Sequence, residues 1–467
     1  MRKLLIFLTL LSTCLHVQAE LPLSVAEALK NAGIPQQNVA IFVQPVLSDA
    51  PILNHNGDKS MNPASTMKLV TTNAALDTLG PTFRWETEVY RDGNIVNGVL
   101  NGDLIIKGYG DPSFGAKEFW RLLMRLQQTG IRQIKGNLVI DKSYFSSQAS
   151  NRDTFDEETW RAYNAMPSAF LVNGRNTSFK FTANKNNVVI QQEFELPEIE
   201  IINKMKRAQG NCGAWRNSMG YNVKTLLNKV SVTFNGTFAA ECEEKYLELS
   251  LFDDEQYAFF TFKKLWAQLG GKFNGNLKIR EVSAAAEKML TQQSDPLSHV
   301  IRDINKWSNN LMARQLLLTL GAETTNEPAN ETNGAMAIKN WLNSKGLRFD
   351  ELVIENGSGL SRIERISATH LGQMLVKTYH SNIMPEFIAS LPILSKDGTV
   401  MTRLKDSQSS GRAHLKTGSL DGVSAIAGYI LDANNHRYVL IMITNYANAS
   451  ASKNAQDALI EWVHQQP

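Results

Sequence analysis

The chain is 467 residues long, with 43% hydrophobic, 20% charged and 8% aromatic side chains. That ordinary globular composition excludes a disordered chain, a collagen-like fibre and a disulfide-dense miniprotein. The formal net charge is +3, from 48 basic and 45 acidic residues, with no run of five like charges, so nucleic acid is not an expected partner.

Arg2 and Lys3 precede an apolar run over 4–15, and Val17-Gln18-Ala19 supplies small residues before Glu20. This order predicts a secretory signal peptide over 1–19, cleaved after Ala19. The apolar run is shorter than the roughly 20 residues a spanning helix needs, and no later stretch is long and apolar enough, so no integral membrane span is expected. Cleavage would leave 448 residues with a net charge of +1, in an exported protein. Cys14 falls in the leader. Leu11-Ser12-Thr13-Cys14 fits a lipoprotein box poorly, because Thr13 is bulkier than the small residue needed there. Cys212 and Cys242 remain as a disulfide candidate in an oxidising compartment, closing a loop of about thirty residues, with two buried thiols as the alternative. No C-x-x-C or H-E-x-x-H occurs, and nothing in the sequence calls for a metal or another cofactor.

In chain order, alternation predicts a strand over 39–46 with a hairpin partner at 51–54. A helix opens around Pro63 and closes at Gly80-Pro81, the proline-start and glycine-stop asymmetry. A helix, a glycine stop and a strand over 119–140 recur over 260–279, with Gly136-Asn137-Leu138 matched by Gly275-Asn276-Leu277. The repeat predicts one inserted α/β domain over 86–171 and 246–285. Short alternating stretches at 177–182 and 187–193 predict a small β-rich domain over 172–245, nested inside it. Two helical stretches, 297–307 and 311–320, are broken between. Strands are predicted at 414–420, 424–431 and 438–445, and a last helix at 452–464. The terminal strands together would make one antiparallel five-stranded sheet with flanking helices. That is an α/β (α+β) domain split over 20–85 and 286–467.

Three motifs stand in order: Ser65-Thr66-Met67-Lys68, Ser308-Asn309-Asn310 and Lys416-Thr417-Gly418. The first two types are common by chance, as Ser450-Ala451-Ser452-Lys453 shows; a K-T-G is rarer and occurs once. Ser65 and Lys68 lie three residues apart at the start of a predicted helix and share a face. A serine hydroxyl is a weak nucleophile until a base takes its proton, and a lysine can be that base if its pKa falls from about 10.4 towards 7–8. Lys416 is the candidate second cation for lowering it. The helix start also aims N–H groups at a developing oxyanion. Ser308 and Asn310 can present a hydroxyl and an amide to the same cleft. Lys416 and Thr417 can offer a cation and a hydroxyl to a carboxylate. Gly418 is expected to leave room for substrate along the strand.

This order of motifs resembles the penicillin-recognising serine enzymes, with their penicillin-binding/β-lactamase-like transpeptidase domain. The step of 243 residues from Ser65 to Ser308 is similar to the long insertion of the class C low-molecular-mass penicillin-binding proteins, the D-alanyl-D-alanine carboxypeptidase/endopeptidases of peptidase family S13. Glu355-Asn356-Gly357-Ser358-Gly359-Leu360-Ser361-Arg362 and Gly108-Tyr109-Gly110-Asp111-Pro112 also resemble that family. The resemblance implies Ser65 as nucleophile, Lys68 as its base, Ser308 as proton relay and Asn310 as holder of the substrate amide. Lys416 and Thr417 would bind the terminal carboxylate, Gly418 would lie along the substrate, and the N–H groups of Ser65 and Ser419 would form the oxyanion hole. It implies periplasmic peptidoglycan stem peptides as substrates and β-lactam antibiotics as covalent inhibitors. Asn173-Gly174-Arg175 stands where family members can carry an acid. The alternatives are a serine β-lactamase or a non-catalytic peptidoglycan-binding protein of the same fold. The sequence leaves the oligomeric state open.

Overall fold

A computed structural model describes residues 20–146, 159–227 and 229–467; the expected signal peptide lies outside the described residues. The two ends of the chain build one antiparallel sheet in the order Ala413–Leu420, Val423–Leu431, Arg437–Asn445, Val39–Pro45, Leu53–His55. Strands Val423–Leu431 and Arg437–Asn445 are buried along nearly their whole length. They read as almost unbroken apolar runs because both sheet faces are covered. One face packs on helices carrying Met67, Val70, Leu316, Leu317, Leu371 and Leu375. The other packs on the terminal helices Leu23–Asn31 and Lys453–His464 through Val25, Leu29, Leu459 and Ile460. Helix Met67–Leu79 lies under this sheet with ten consecutive residues, Met67–Leu76, buried. It therefore shows no polar stripe in its sequence.

The internal repeat is a structural one. Helix Ala116–Gln128 leads to strands Gln133–Ile134 and Leu138–Asp141, and helix Asp254–Gln268 leads to Lys272–Phe273 and Leu277–Ile279. The two copies pair in parallel, 272–273 beside 133–134 and 277–279 beside 138–140, in a seven-stranded sheet built on the long hairpin Glu86–Val96 and Val99–Gly108. Two three-stranded sheets stand beyond it, one of Thr177–Ala183, Val188–Gln192 and Glu244–Leu249, the other of Ile199–Ala208, Met219–Leu226 and Lys229–Ala239. Cys212 and Cys242 are joined by a disulfide between Cα atoms 4.7 Å apart.

Two boundaries move relative to the sequence reading. Strand Glu287–Gln293 pairs with Glu86–Val96, so the inserted sheet continues past residue 285. Strand Glu244–Leu249 pairs with Thr177–Ala183, so the small β region continues past 245. Both are connecting strands. Glu287–Gln293 is polar at most positions and gives no period-2 signal to separate it from a linker. Among the described residues no helix is long and apolar enough to cross a membrane.

Candidate active site

Ser65 sits in a 3₁₀ turn, Ala64–Thr66, that runs directly into helix Met67–Leu79. The turn is fixed from its own sequence. Asn62 Oδ1 accepts from Ala64 N–H (2.9 Å), and Thr66 Oγ1 donates to Pro63 O (2.8 Å). Ala64 has φ +44, a left-handed conformation that costs an L-residue roughly 1–2 kcal/mol and holds only where neighbours enforce it. Two glycines from distant segments do so. A Cβ on Gly359 would lie 2.0 Å from Ala64 O, and one on Gly418 would lie 2.6 Å from Pro63 O and 3.0 Å from Ser65 N. Gly418 therefore lets the strand reach the serine turn. The expectation that it clears a path for substrate is corrected: the missing side chain would point into protein backbone.

Ser308 has an equally specific local origin. Helix Leu297–Lys306 ends at Trp307, and Asn309 N–H donates to Ile304 O (3.2 Å). This is the six-to-one bond of a Schellman turn, whose left-handed position usually holds glycine. Here it holds Ser308, at φ +58. Asn309 then caps the next helix, Asn310–Thr325, its Oδ1 accepting from Met312 N–H (3.1 Å). Asn310 is thus the first residue of that helix, and Ser308 and Asn310 both line one cleft.

The structure brings the three motifs together. Lys68 and Lys416 are both 0% exposed. Lys68 Nζ donates to Ser65 Oγ (2.9 Å), to Asn310 Oδ1 (2.6 Å) and to the Ser358 carbonyl. Lys416 Nζ donates to Ser308 Oγ (2.9 Å) and Thr417 O (2.7 Å). Burial lowers the Lys68 pKa well below its ordinary value, the Lys416 charge lowers it further, and the Glu364 carboxylate opposes the shift. Burial also brings the Lys416 amine down to about 7. A neutral amine has two hydrogens and one lone pair. Once Lys68 is neutral, with Asn310 Oδ1 and Ser358 O taking its two hydrogens, its lone pair replaces the donated bond at the Ser65 hydroxyl, the geometry a general base requires.

Strand Ala413–Leu420 is the edge of its sheet. Leu415 N–H donates outward to Pro392 O, and Leu394 N–H reaches Ala413 O (both 2.9 Å). The two-residue period then turns the N–H groups of Thr417 and Ser419 to the same outer edge. Thr417 Oγ1 donates to Thr399 Oγ1 (2.7 Å). A cleft of about 890 Å³ is lined by Trp307, Ser308 and Asn310 together with Asn173, Tyr246 and Glu248 of the inserted regions. Sequence reasoning missed the Ser358 carbonyl as a partner of Lys68, although the Gly357-Ser358-Gly359 run marked the segment. It also missed Glu364 and Thr399, which no motif spacing marks.

A serine at a helix start in contact with one buried lysine, a second buried lysine on an edge strand and a long insertion between them fit the class of penicillin-recognising serine enzymes. The chain belongs to the D-Ala-D-Ala carboxypeptidase 3 (S13) family, whose profile matches residues 21–466. It is similar to the D-alanyl-D-alanine carboxypeptidase DacB of Haemophilus influenzae, at 27% identity over 420 residues, 87% of this chain and 85% of that protein. It is also similar to the D-alanyl-D-alanine carboxypeptidase of Actinomadura sp. strain R39, at 25% identity, covering 87% of this chain and 78% of that one. The crystal structure of penicillin binding protein 4 (dacB) from Haemophilus influenzae superposes with a TM-score of 0.79 at 25% identity, covering 95% of this chain and 99% of that one.

Proposed function

We propose that the mature chain works in the periplasm as a serine D,D-peptidase on peptidoglycan stem peptides, removing terminal D-alanine or opening D-alanine cross-links through an acyl-enzyme on Ser65. The observation that carries this reading is the pair of buried amines, each 2.9 Å from a serine hydroxyl: Lys68 on Ser65 and Lys416 on Ser308. In the first step Lys68 takes the Ser65 proton as Oγ attacks the D-alanyl carbonyl, and the N–H groups of Ser65 and Ser419 receive the oxyanion. The proton passes by way of Ser308, tuned by Lys416, to the leaving amine, and water then cleaves the ester. Asn310 holds the substrate amide, while Lys416 and Thr417 meet the terminal carboxylate. A Lys416 amine near 7 gains charge when that carboxylate arrives, since an opposite charge favours the protonated form. The cleft of about 890 Å³ that Ser308 and Asn310 line offers a place for the rest of the stem peptide. Export rests on the leader read at 1–19.

A fluorescent penicillin should label the wild-type chain stoichiometrically and fail to label Ser65→Ala, and nitrocefin should give one burst rather than rapid turnover. Persistent labelling of Ser65→Ala would sink the assignment. Mass analysis of products from pentapeptide monomers and cross-linked dimers separates carboxypeptidase from endopeptidase action.

A further inference from the structure

The carbonyl that holds Lys68 belongs to a turn organised around a buried acid. Glu364 is fully buried. Its Oε1 accepts the backbone N–H groups of Glu355 (3.1 Å), Asn356 (3.0 Å) and Gly357 (2.9 Å), and its Oε2 is buried with no hydrogen-bond partner. The turn is tied down at other points. Thr71 Oγ1 donates to Gly357 O (2.7 Å), and Asn356 Oδ1 accepts from Ser358 N–H (2.9 Å) and Ser358 Oγ (2.7 Å). Ser361 Oγ accepts from Glu364 N–H (3.0 Å). One short path therefore runs from the Glu364 carboxylate through Gly357 to the Ser358 carbonyl and on to Lys68 Nζ.

We propose that Glu364 is a positioning residue for acylation: by gathering three N–H groups it fixes the Ser358 carbonyl against Lys68 Nζ, so that the amine lone pair points at Ser65 Oγ. The inference rests on Lys68 being the base. A glutamine would make the same three contacts, so the contacts alone do not require a charge. What a charge adds is a field on Lys68. The polar partners of Lys68 are Ser65, Asn310 and Ser358, and the charges acting on it are Lys416 and Glu364. The nearby Arg365 guanidinium is turned away, onto Arg362 O and Glu364 O (2.9 and 2.8 Å). Burial raises the Glu364 pKa, and the N–H groups of Asn356, Gly357 and Glu355, then the Lys68 charge, oppose the rise. Glu364 thus holds Lys68 in place while setting a floor under how far its pKa falls.

The two effects separate in two variants. Glu364→Gln keeps an oxygen for the three N–H groups and removes the charge, whereas Glu364→Ala removes both. Acylation by a fluorescent penicillin is followed between pH 5 and 9, with D-alanine release from a pentapeptide and thermal unfolding alongside. Lys68 must be neutral to act, so losing the negative charge lets it deprotonate sooner. The acid limb for Glu364→Gln should move to lower pH by up to about one unit. In Glu364→Ala the freed carbonyl should lower kcat by roughly 10- to 100-fold, with KM changed less than about twofold, as a misplacement of about 1 Å does. Glu364→Gln carries the test alone if Glu364→Ala does not fold. Both variants labelling like wild type, or losing rate only in step with their unfolded fraction and with the limb unmoved, would overturn the proposal. A wild-type chain that takes no penicillin overturns the acyl-enzyme reading, and this inference with it.

Discussion

Replacing Gly359 with alanine tests whether the serine turn is held by backbone contact. Gly359 has φ +81, and an added Cβ would lie 2.0 Å from Ala64 O, 2.3 Å from Ala64 C and 2.6 Å from Ser65 N. The obstacles are main-chain atoms, so no side chain can swing aside. Reaching even a tight contact of 3.0 Å requires the turn carrying Ser65 to move by about 1 Å, and displacements of that size cost roughly 100-fold in rate when they fall on a reacting group. Placing alanine in the left-handed region costs about 1–2 kcal/mol in addition. The expected result is an acylation rate constant for a fluorescent penicillin down by about two orders of magnitude, with only modest loss of melting temperature. Gly33→Ala is the control: Gly33 has φ +65, but its added Cβ meets nothing within 4 Å. It bears the backbone penalty and should acylate like wild type. Gly359→Ala acylating at the wild-type rate, or Gly33→Ala losing as much, would refute the reasoning.

Two further substitutions probe the buried amines and the strained hydroxyl. Lys416→Ala removes a positive charge that holds the Lys68 pKa down. The Lys68 pKa should therefore rise and the acid limb of acylation should move to higher pH, opposite to the shift expected for Glu364→Gln; a limb moving to lower pH in stopped-flow acylation would contradict the coupling. Ser308→Gly relieves a left-handed serine and should stabilise the fold by about 1 kcal/mol in urea unfolding. The same change should lower D-alanine release by roughly 100-fold or more through loss of the proton relay. Unchanged activity in this variant would remove Ser308 from the mechanism.

The split sheet was legible because its central strands are covered on both faces and helix Met67–Leu79 closes at Gly80-Pro81, whereas the terminal helix Leu23–Asn31 was not predicted. Three predicted strands fall within a residue of Ala413–Leu420, Val423–Leu431 and Arg437–Asn445. The repeat was legible for a related reason: Gly136-Asn137 and Gly275-Asn276 make the same approach in two copies that pair with each other, Asn276 N–H donating to Asn137 Oδ1 (3.2 Å). The boundary strands were not legible, because Glu287–Gln293 earns its place from a partner 200 residues earlier rather than from its own pattern. The candidate site divides along the same line. Residue types that react can be read from spacing. Distances of approach cannot, which is why Gly418 was expected to face substrate and instead faces Pro63 and Ser65.

What remained hidden in the site shares one physical feature: it acts through the main chain. The Ser358 carbonyl, the left-handed turn at Ser308 and the crowding of Ala64 by Gly359 leave no fixed side-chain signature, since a carbonyl is present at every position. Glu364 and Thr399 are the exceptions that act through side chains, though the partners of Glu364 are three backbone N–H groups. A buried carboxylate so satisfied on one oxygen and bare on the other sits uneasily in a packed core unless a cation nearby gains from it. The Lys416 charge lowers the Lys68 pKa and the Glu364 carboxylate opposes that shift. The acid and the amines therefore form one electrostatic unit. Substitutions at Glu364 and Lys416 should accordingly move the same pH limb in opposite directions, a result that packing defects alone would not produce.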